Sequence, residues 1–92
     1  QLVVEVVAEH CGIPMVQITL NSRSNDVAKP RQIAMYLCRE LTELSLPKIG
    51  EFFGKRDHTT EMHACEKISN EMLKDEDLRN TISDLKSKIL DE

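Results

Sequence analysis

Gly54-Lys55-Arg56-Asp57-His58-Thr59-Thr60 decides the reading of this chain, because a helical pattern carrying His63 and Lys67 begins directly behind it. Glycine lets the backbone turn where a side chain would clash. Lys55 and Arg56 set positive charge beside that turn, and Asp57 can cap the following helix by accepting from its unpaired amides. His58, Thr59 and Thr60 then open the helix with short, polar, hydrogen-bonding side chains, which suit a helix end that meets base edges. The pattern is that of a helix-turn-helix offering its second helix to a DNA groove.

Working backward from this motif, Ser45-Leu46-Pro47 starts a short helix of about two turns, since serine caps well and proline belongs in a first turn. Ile49, Phe52 and Phe53 are expected to face inward, Gly50 to permit a close helix crossing, and Gly54 to end the helix. In the next helix Met62, Cys65, Ile68 or Ser69, and Met72 form the expected buried stripe, leaving Thr59, Thr60, His63 and Lys67 outward. These buried positions fall about two residues later than in the tightest helix-turn-helix patterns, so a lengthened turn is predicted, with the motif over about residues 46–73.

The remaining segments supply support. Val3, Val4, Val7 and Ala8 recur at helical spacing up to Gly12, and Pro14 begins a short second helix whose Met15, Ile18 and Leu20 can pack inward. Asn21-Ser22-Arg23-Ser24-Asn25 is an aperiodic, basic loop. Asp26 is the expected cap of the main core helix, which tolerates Pro30 in its first turn and carries the stripe Ile33, Leu37, Leu41 and Leu44, widened by Ala34 and Cys38. A last amphipathic helix spans about Glu76 to Leu90, with Leu78, Ile82, Leu85 and Ile89 inward. With no strand signal and no internal repeat, the fold class is all-α: a small domain of about six helices containing a helix-turn-helix with a lengthened turn.

Ninety-two residues with 40% hydrophobic side chains make one small domain. No apolar run approaches the ~20 residues that cross a bilayer, and the start lacks the basic flank of a signal peptide, so a cytoplasmic protein is expected. Gln1 already lies inside an apolar helical pattern, as in a piece of a longer protein. The net charge of −4 is uneven: residues 1–20 sum to −2, residues 21–60 to +2 and residues 61–92 to −4. Arg23, Lys29, Arg31, Arg39, Lys48, Lys55 and Arg56 all fall in the middle segment beside the motif, and the acidic surplus is assigned mostly to the last helix. Salt screens exposed charges beyond about 8 Å, so a distant acidic face does not veto a local basic one.

Other chemistries find little support. Cys11, Cys38 and Cys65 sit in apolar helical patterns and read as reduced core residues. His10-Cys11 and His63-Ala64-Cys65 lack the paired spacing of zinc ligands, and His58-Thr59-Thr60-Glu61-Met62-His63 is not a zinc-protease motif. No third group orients His58, His63 and Cys65 as a catalytic set. The rival class is a helical protein-interaction module using the last helix or Phe52-Phe53, with acidic membrane surfaces ranking third.

Ala28-Lys29-Pro30-Arg31-Gln32-Ile33-Ala34-Met35-Tyr36-Leu37, Glu40-Leu41-Thr42, Ser45-Leu46-Pro47-Lys48-Ile49-Gly50 and Gly54 to Thr60 with His63-Ala64-Cys65 closely resemble the C-terminal DNA-binding domain, domain IV, of the bacterial replication initiator DnaA. The resemblance covers nearly the whole chain. It implies sequence-specific binding of double-stranded DNA at DnaA boxes, asymmetric origin sites of the TTATCCACA type. It also implies no enzyme activity and no cofactor in this domain, ATP being expected only in an upstream AAA+ domain. No G-x-x-x-x-G-K-[ST] phosphate loop occurs in the chain. The isolated domain would be a monomer, and the full-length protein an oligomer.

Carried over by alignment, Asp57, His58, Thr59 and Thr60 look like the major-groove residues, with Asp57 able to accept from a cytosine amine and the threonine methyls able to touch thymine methyls. Arg23 aligns with a minor-groove arginine, a role favoured by the negative potential of a narrow A·T-rich groove. Arg31, Gln32, Arg39, Pro47, His63 and Lys67 align with backbone or flanking contacts, and Lys48, Lys55 and Arg56 join them as cations near the motif. Lys55 stands where many members have a second glycine, Glu61 where an aliphatic residue is usual, and Asn25 and Asp26 where Arg and Ser are common. Glu61 is expected near the phosphates, where it would lower affinity.

Overall fold

The computed structural model describes residues 2–19, 25–54 and 58–91, with the side chains of residues 25, 26 and 58 outside the description. Among the described residues every regular element is helical: α1 (Leu2–Cys11), α2 (Met15–Thr19), α3 (Asn25–Leu41), α4 (Leu46–Phe52), α5 (His58–Met72) and α6 (Glu76–Leu90). This matches the all-α class and the six helices expected from the sequence.

The helix ends follow local chemistry. Gly12 takes φ 71°, its N–H donates to the Glu9 carbonyl, and the Ile13 N–H reaches back to the Ala8 carbonyl, the paired bonds of a Schellman stop. The side chain of Ser45 accepts from the Lys48 N–H at 3.4 Å and Asp75 accepts from the Leu78 N–H at 3.1 Å, so α4 and α6 both begin on a side-chain cap. Asn25 and Asp26 are already helical, so Asp26 lies inside α3 rather than at its cap, with Pro30 four residues further along the helix. Proline there deprives only the Asp26 carbonyl of its donor, and the helix continues to Leu41.

α3 packs against each of the other five helices, and its most extensive partner is α5. Its inner residues Ile33, Ala34, Met35, Leu37 and Cys38 meet Val3, Val4, Val7 and Ala8 of α1, Ile18 of α2, Ile49 and Phe53 from α4 and its end, Ala64 and Ile68 of α5, and the expected four residues of α6 in one core. α6 lies on α1, α3 and α5, whereas α4 lies on α3 and α5.

Several expected core positions are corrected. Phe53 is 0% exposed but Phe52 is 39% exposed, their rings meeting edge to face at 5.5 Å, so only Phe53 is a core residue. Met62 is 42% exposed, because the inner line of α5 runs through Glu61, Ala64 and Ile68, flanked by half-buried Cys65 and Met72. Leu44 is exposed since α3 stops at Leu41, and Met15 is exposed on α2 while Ile18 is buried. Leu20 lies outside the described residues. Of the three free cysteines only Cys38 is fully buried.

Replacing Phe53 by Ala should remove about 3–5 kcal/mol of stability through the cavity it leaves, whereas Phe52→Ala should cost less than about 1 kcal/mol. Urea unfolding followed by circular dichroism would measure both; equal losses would mean that the two rings had been assigned to the wrong environments.

Candidate nucleic-acid interface

The α4–turn–α5 unit is built from the core outward. Ile49 and Gly50 of α4 are buried, and the small Gly50 suits the close packing of α4 on α5. Gly54 follows with φ 87°, a left-handed conformation that favours glycine, as its place in the motif requires. Phe53 and Gly54 leave α4 in a turn and the described part of α5 opens at His58, so the lengthened turn read from the sequence falls on residues 55–57, outside the described residues. Lys55, Arg56 and Asp57 of this turn, and Arg23 of the earlier loop, lie outside the described residues.

α5 begins at His58, whose side chain is likewise not described. Thr59 and His63 are exposed, Thr60 is half-buried at the edge of the same helix, and Lys67 is exposed one turn beyond His63. The outward line at helical spacing is Thr59, His63, Glu66 and Asn70, all exposed. Sequence reasoning passed over Glu66 and Asn70, although their spacing from Thr59 and His63 was visible. Glu66 puts a carboxylate on the face expected to be read.

The flanking residues divide into two kinds. Arg39, Pro47 and Lys48 are exposed, and Lys48 makes only a loose 3.9 Å contact with Glu51. Arg31 is 6% exposed: its Nε donates to the Ile18 carbonyl at 2.8 Å and its guanidinium also donates to the Gln17 carbonyl at 2.9 Å. Both carbonyls belong to α2, and by donating to them Arg31 caps that helix and fastens it to α3. Arg31, expected as a backbone or flanking contact, is engaged in buried cross-helix packing in the free domain. Gln32 is half-buried.

Glu61 is the largest departure from expectation. Rather than facing phosphates it is 0% exposed, on the inner line of α5. The Cys65 thiol donates to its Oε1 at 3.6 Å, and among the described residues its Oε2 has no hydrogen-bond partner. Burial pushes its carboxyl up to about 7, a rise opposed by the Cys65 hydrogen bond and the positive charge of Arg39. Burial also pushes the Cys65 thiol up to about 12, with the Glu61 charge adding to it. An aliphatic side chain would have been legible as core; a carboxylate was not.

The acidic surplus is also relocated. Within α6 three acids, Glu76, Asp77 and Asp84, are balanced by Arg79, Lys86 and Lys88, so this helix is neutral. The surplus lies on α5, with Glu61, Glu66 and Glu71 against Lys67, and around the ends of α6. Among the described residues no group of three His, Cys, Asp or Glu side chains could hold a metal ion, and no helix is long and apolar enough to cross a membrane.

A short capped helix, a turn entered through Gly54 and a longer helix laid across a third define a helix-turn-helix protein. Residues 1–68 match the family described as the bacterial DnaA protein helix-turn-helix, and the chain belongs to that family. It is 56% identical over 85 residues to the chromosomal replication initiator protein DnaA of Symbiobacterium thermophilum, an alignment covering 92% of this chain and 19% of that protein. Its fold matches the crystal structure of a DNA replication initiation factor with a TM-score of 0.85 at 30% identity, over 97% of this chain and 27% of the other. The chain thus spans about a fifth of that relative's length.

Arg31→Met keeps most of the stem volume but leaves the α2 carbonyls unanswered, so stability should fall by about 2 kcal/mol. Hydrogen exchange should show α2 opening more readily than α6; uniform protection across both helices would contradict the capping role.

Proposed function

We propose that this domain binds double-stranded DNA sequence-specifically, reading DnaA boxes at a bacterial replication origin in the initiation and regulation of chromosome replication. The observation that carries the reading is the outward line of α5, where Thr59 and His63 are exposed on a helix held from behind by α3 and α4. Membership in the DnaA helix-turn-helix family supports it. Asp57, His58, Thr59 and Thr60 take the major groove in this reading, and Arg23 the minor groove. Arg39, Pro47, Lys48, Lys55, Arg56, His63 and Lys67 meet the backbone or flanks, with Gln32 beside them and Arg31 acting mainly through the hold of α3 on α2.

The domain works by binding and not by catalysis, and needs no cofactor of its own. ATP belongs to the AAA+ part of such initiators, as does oligomerisation, and one copy of the domain occupies one asymmetric site. The setting is the bacterial cytoplasm, at the nucleoid.

Fluorescence anisotropy with a TTATCCACA duplex and a scrambled duplex across a salt series tests the reading. Binding should favour the box and weaken with salt at a log-log slope of about 0.9 per phosphate neutralised. His58→Ala or Thr59→Ala should erase the preference while leaving non-specific affinity largely intact, and Lys67→Ala should weaken both duplexes alike. No binding to either duplex would favour a helical protein-interaction module instead.

Glu66 supplies a separate check. Removing its charge with Glu66→Gln should raise affinity for both duplexes by a few-fold, more at low salt than at high salt. An unchanged affinity would mean that the middle of α5 stays away from the phosphates.

A further inference from the structure

Glu61 is a carboxyl group that the proposed reading does not use. It is fully buried on the inner line of α5, directly after Thr59 and Thr60 in the chain and one helical turn before Cys65. Cys65 in turn lies 4.0 Å from the Met35 carbonyl of α3. A neutral acid can donate from Oε1 to the Cys65 sulfur while the thiol donates to that carbonyl, a chain running from α5 into α3. An ionised one can only accept, and one of its two oxygens has no partner among the described residues.

We propose that Glu61 is a proton-linked positioning residue for the reading helix: its neutral carboxyl holds the first turns of α5 against α3, and its ionisation loosens them. The proposal rests on the reading of DNA by α5. An ionised Glu61 is relieved by reaching water, which in this proposal happens through movement of the part of α5 from His58 onward. That stretch carries His58, Thr59 and Thr60, three of the four residues assigned to the major groove.

Charged and titratable groups approach Glu61 from each of the helices packed around it. From α3, Arg39 acts on it directly, Glu40 acts on Cys65, and Cys65 in turn acts on Tyr36. On α5 itself, Cys65 stays a thiol at neutral pH, and Glu71 is engaged with Lys29 of α3 at the other end of the helix. From α4, Lys48 and Glu51 are exposed and contact each other. From α6, Lys86 sits over the Tyr36 ring, 5.9 Å from its centre. Because burial raises the folded value towards 7, the unfolded chain releases this proton first: stability is complete below about 4.5, is lost as pH rises to about 7, and stays level above that.

The test compares the 92-residue wild type with Glu61→Gln, which keeps size and polarity but cannot ionise, and with Glu61→Leu, which removes the polar group. Urea unfolding between pH 5 and 8.5 should show the wild-type folding constant falling relative to Glu61→Gln by roughly tenfold or more, with the change complete near pH 7.5. Glu61→Leu should follow Glu61→Gln in shape, which keeps the comparison informative if the glutamine variant folds poorly. Box affinity relative to the scrambled duplex should decline more steeply from pH 6 to 8 in the wild type than in either variant, since all three share His58 and His63 and only the wild type has an ionisable group at position 61.

Parallel stability curves for wild type and variants would overturn the proposal whatever the DNA results. Diverging curves with identical box preference at both pH values would overturn the positioning role. Absence of binding to either duplex by all three proteins would overturn the DNA reading, and the positioning role with it.

Discussion

The packing of α5 on α3 is the constraint on which the rest of the molecule depends. α3 meets the other five helices, and the residues it turns inward, from Ile33 to Cys38, are almost wholly shielded from water. A reading helix can deliver side chains to base edges only if its own backbone is fixed, since its contacts with DNA are few and directional. α5 obtains that rigidity by burying Ala64 and Ile68 against α3 and by the brace of α4, whose Ile49 and following Phe53 close the corner. Fastening α2 by Arg31 extends the same logic to the end of the helix that precedes the basic loop. The core here serves chiefly as a mount.

Most of this arrangement was legible because it follows from spacing. The α6 stripe, the α1 valines, the Ser45 cap and the α3 stripe as far as Leu41 each rest on periodic or capping chemistry that local sequence states outright. The misjudged residues share a cause. Phe52 and Met62 are large and apolar, and apolarity alone cannot say which of two neighbouring positions faces inward once a helix is short or its stripe is broken by a polar residue. Glu61 is what broke the α5 stripe: treated as exposed, it moved the inner line by one position and brought Met62 in with it. Arg31 was misjudged for the complementary reason, because its buried partners are backbone carbonyls, which no sequence pattern marks. The residues expected to contact DNA were found by resemblance, and Glu66 on the same face was not, since it matches no contact role in that resemblance.

A buried carboxyl in place of an aliphatic side chain must be compensated. Burying a charge without a full set of partners is costly, and the molecule limits that cost by retaining the proton, which the raised value of Glu61 expresses. The thiol of Cys65 is a weak partner, suited to a neutral acid and poorly suited to an anion. Keeping the group neutral also removes a carboxylate from the helix proposed to read DNA, so the same burial that is costly in the core improves the electrostatics of the outer face.

That last effect bears on how a chain of net charge −4 can bind DNA at all. α5 carries three carboxylates against one lysine, which would be a poor balance for a reading helix if all of them faced solvent on one side. Glu61 is withdrawn into the core, and Glu71 is paired with Lys29, leaving Glu66 as the carboxylate on the outward line. The cations are distributed in the opposite sense. Arg39, Lys48 and Lys67 are exposed, and the contact of Lys48 with Glu51 is so open to water that exchanging it for a phosphate costs next to nothing. Binding driven by counterion release draws on cations that are weakly committed in the free protein, and screening confines the repulsion to groups within a Debye length of the backbone. The disposition of individual charges, and above all which carboxylates are taken out of play, therefore decides the electrostatics of this surface, and the net charge of the chain does not.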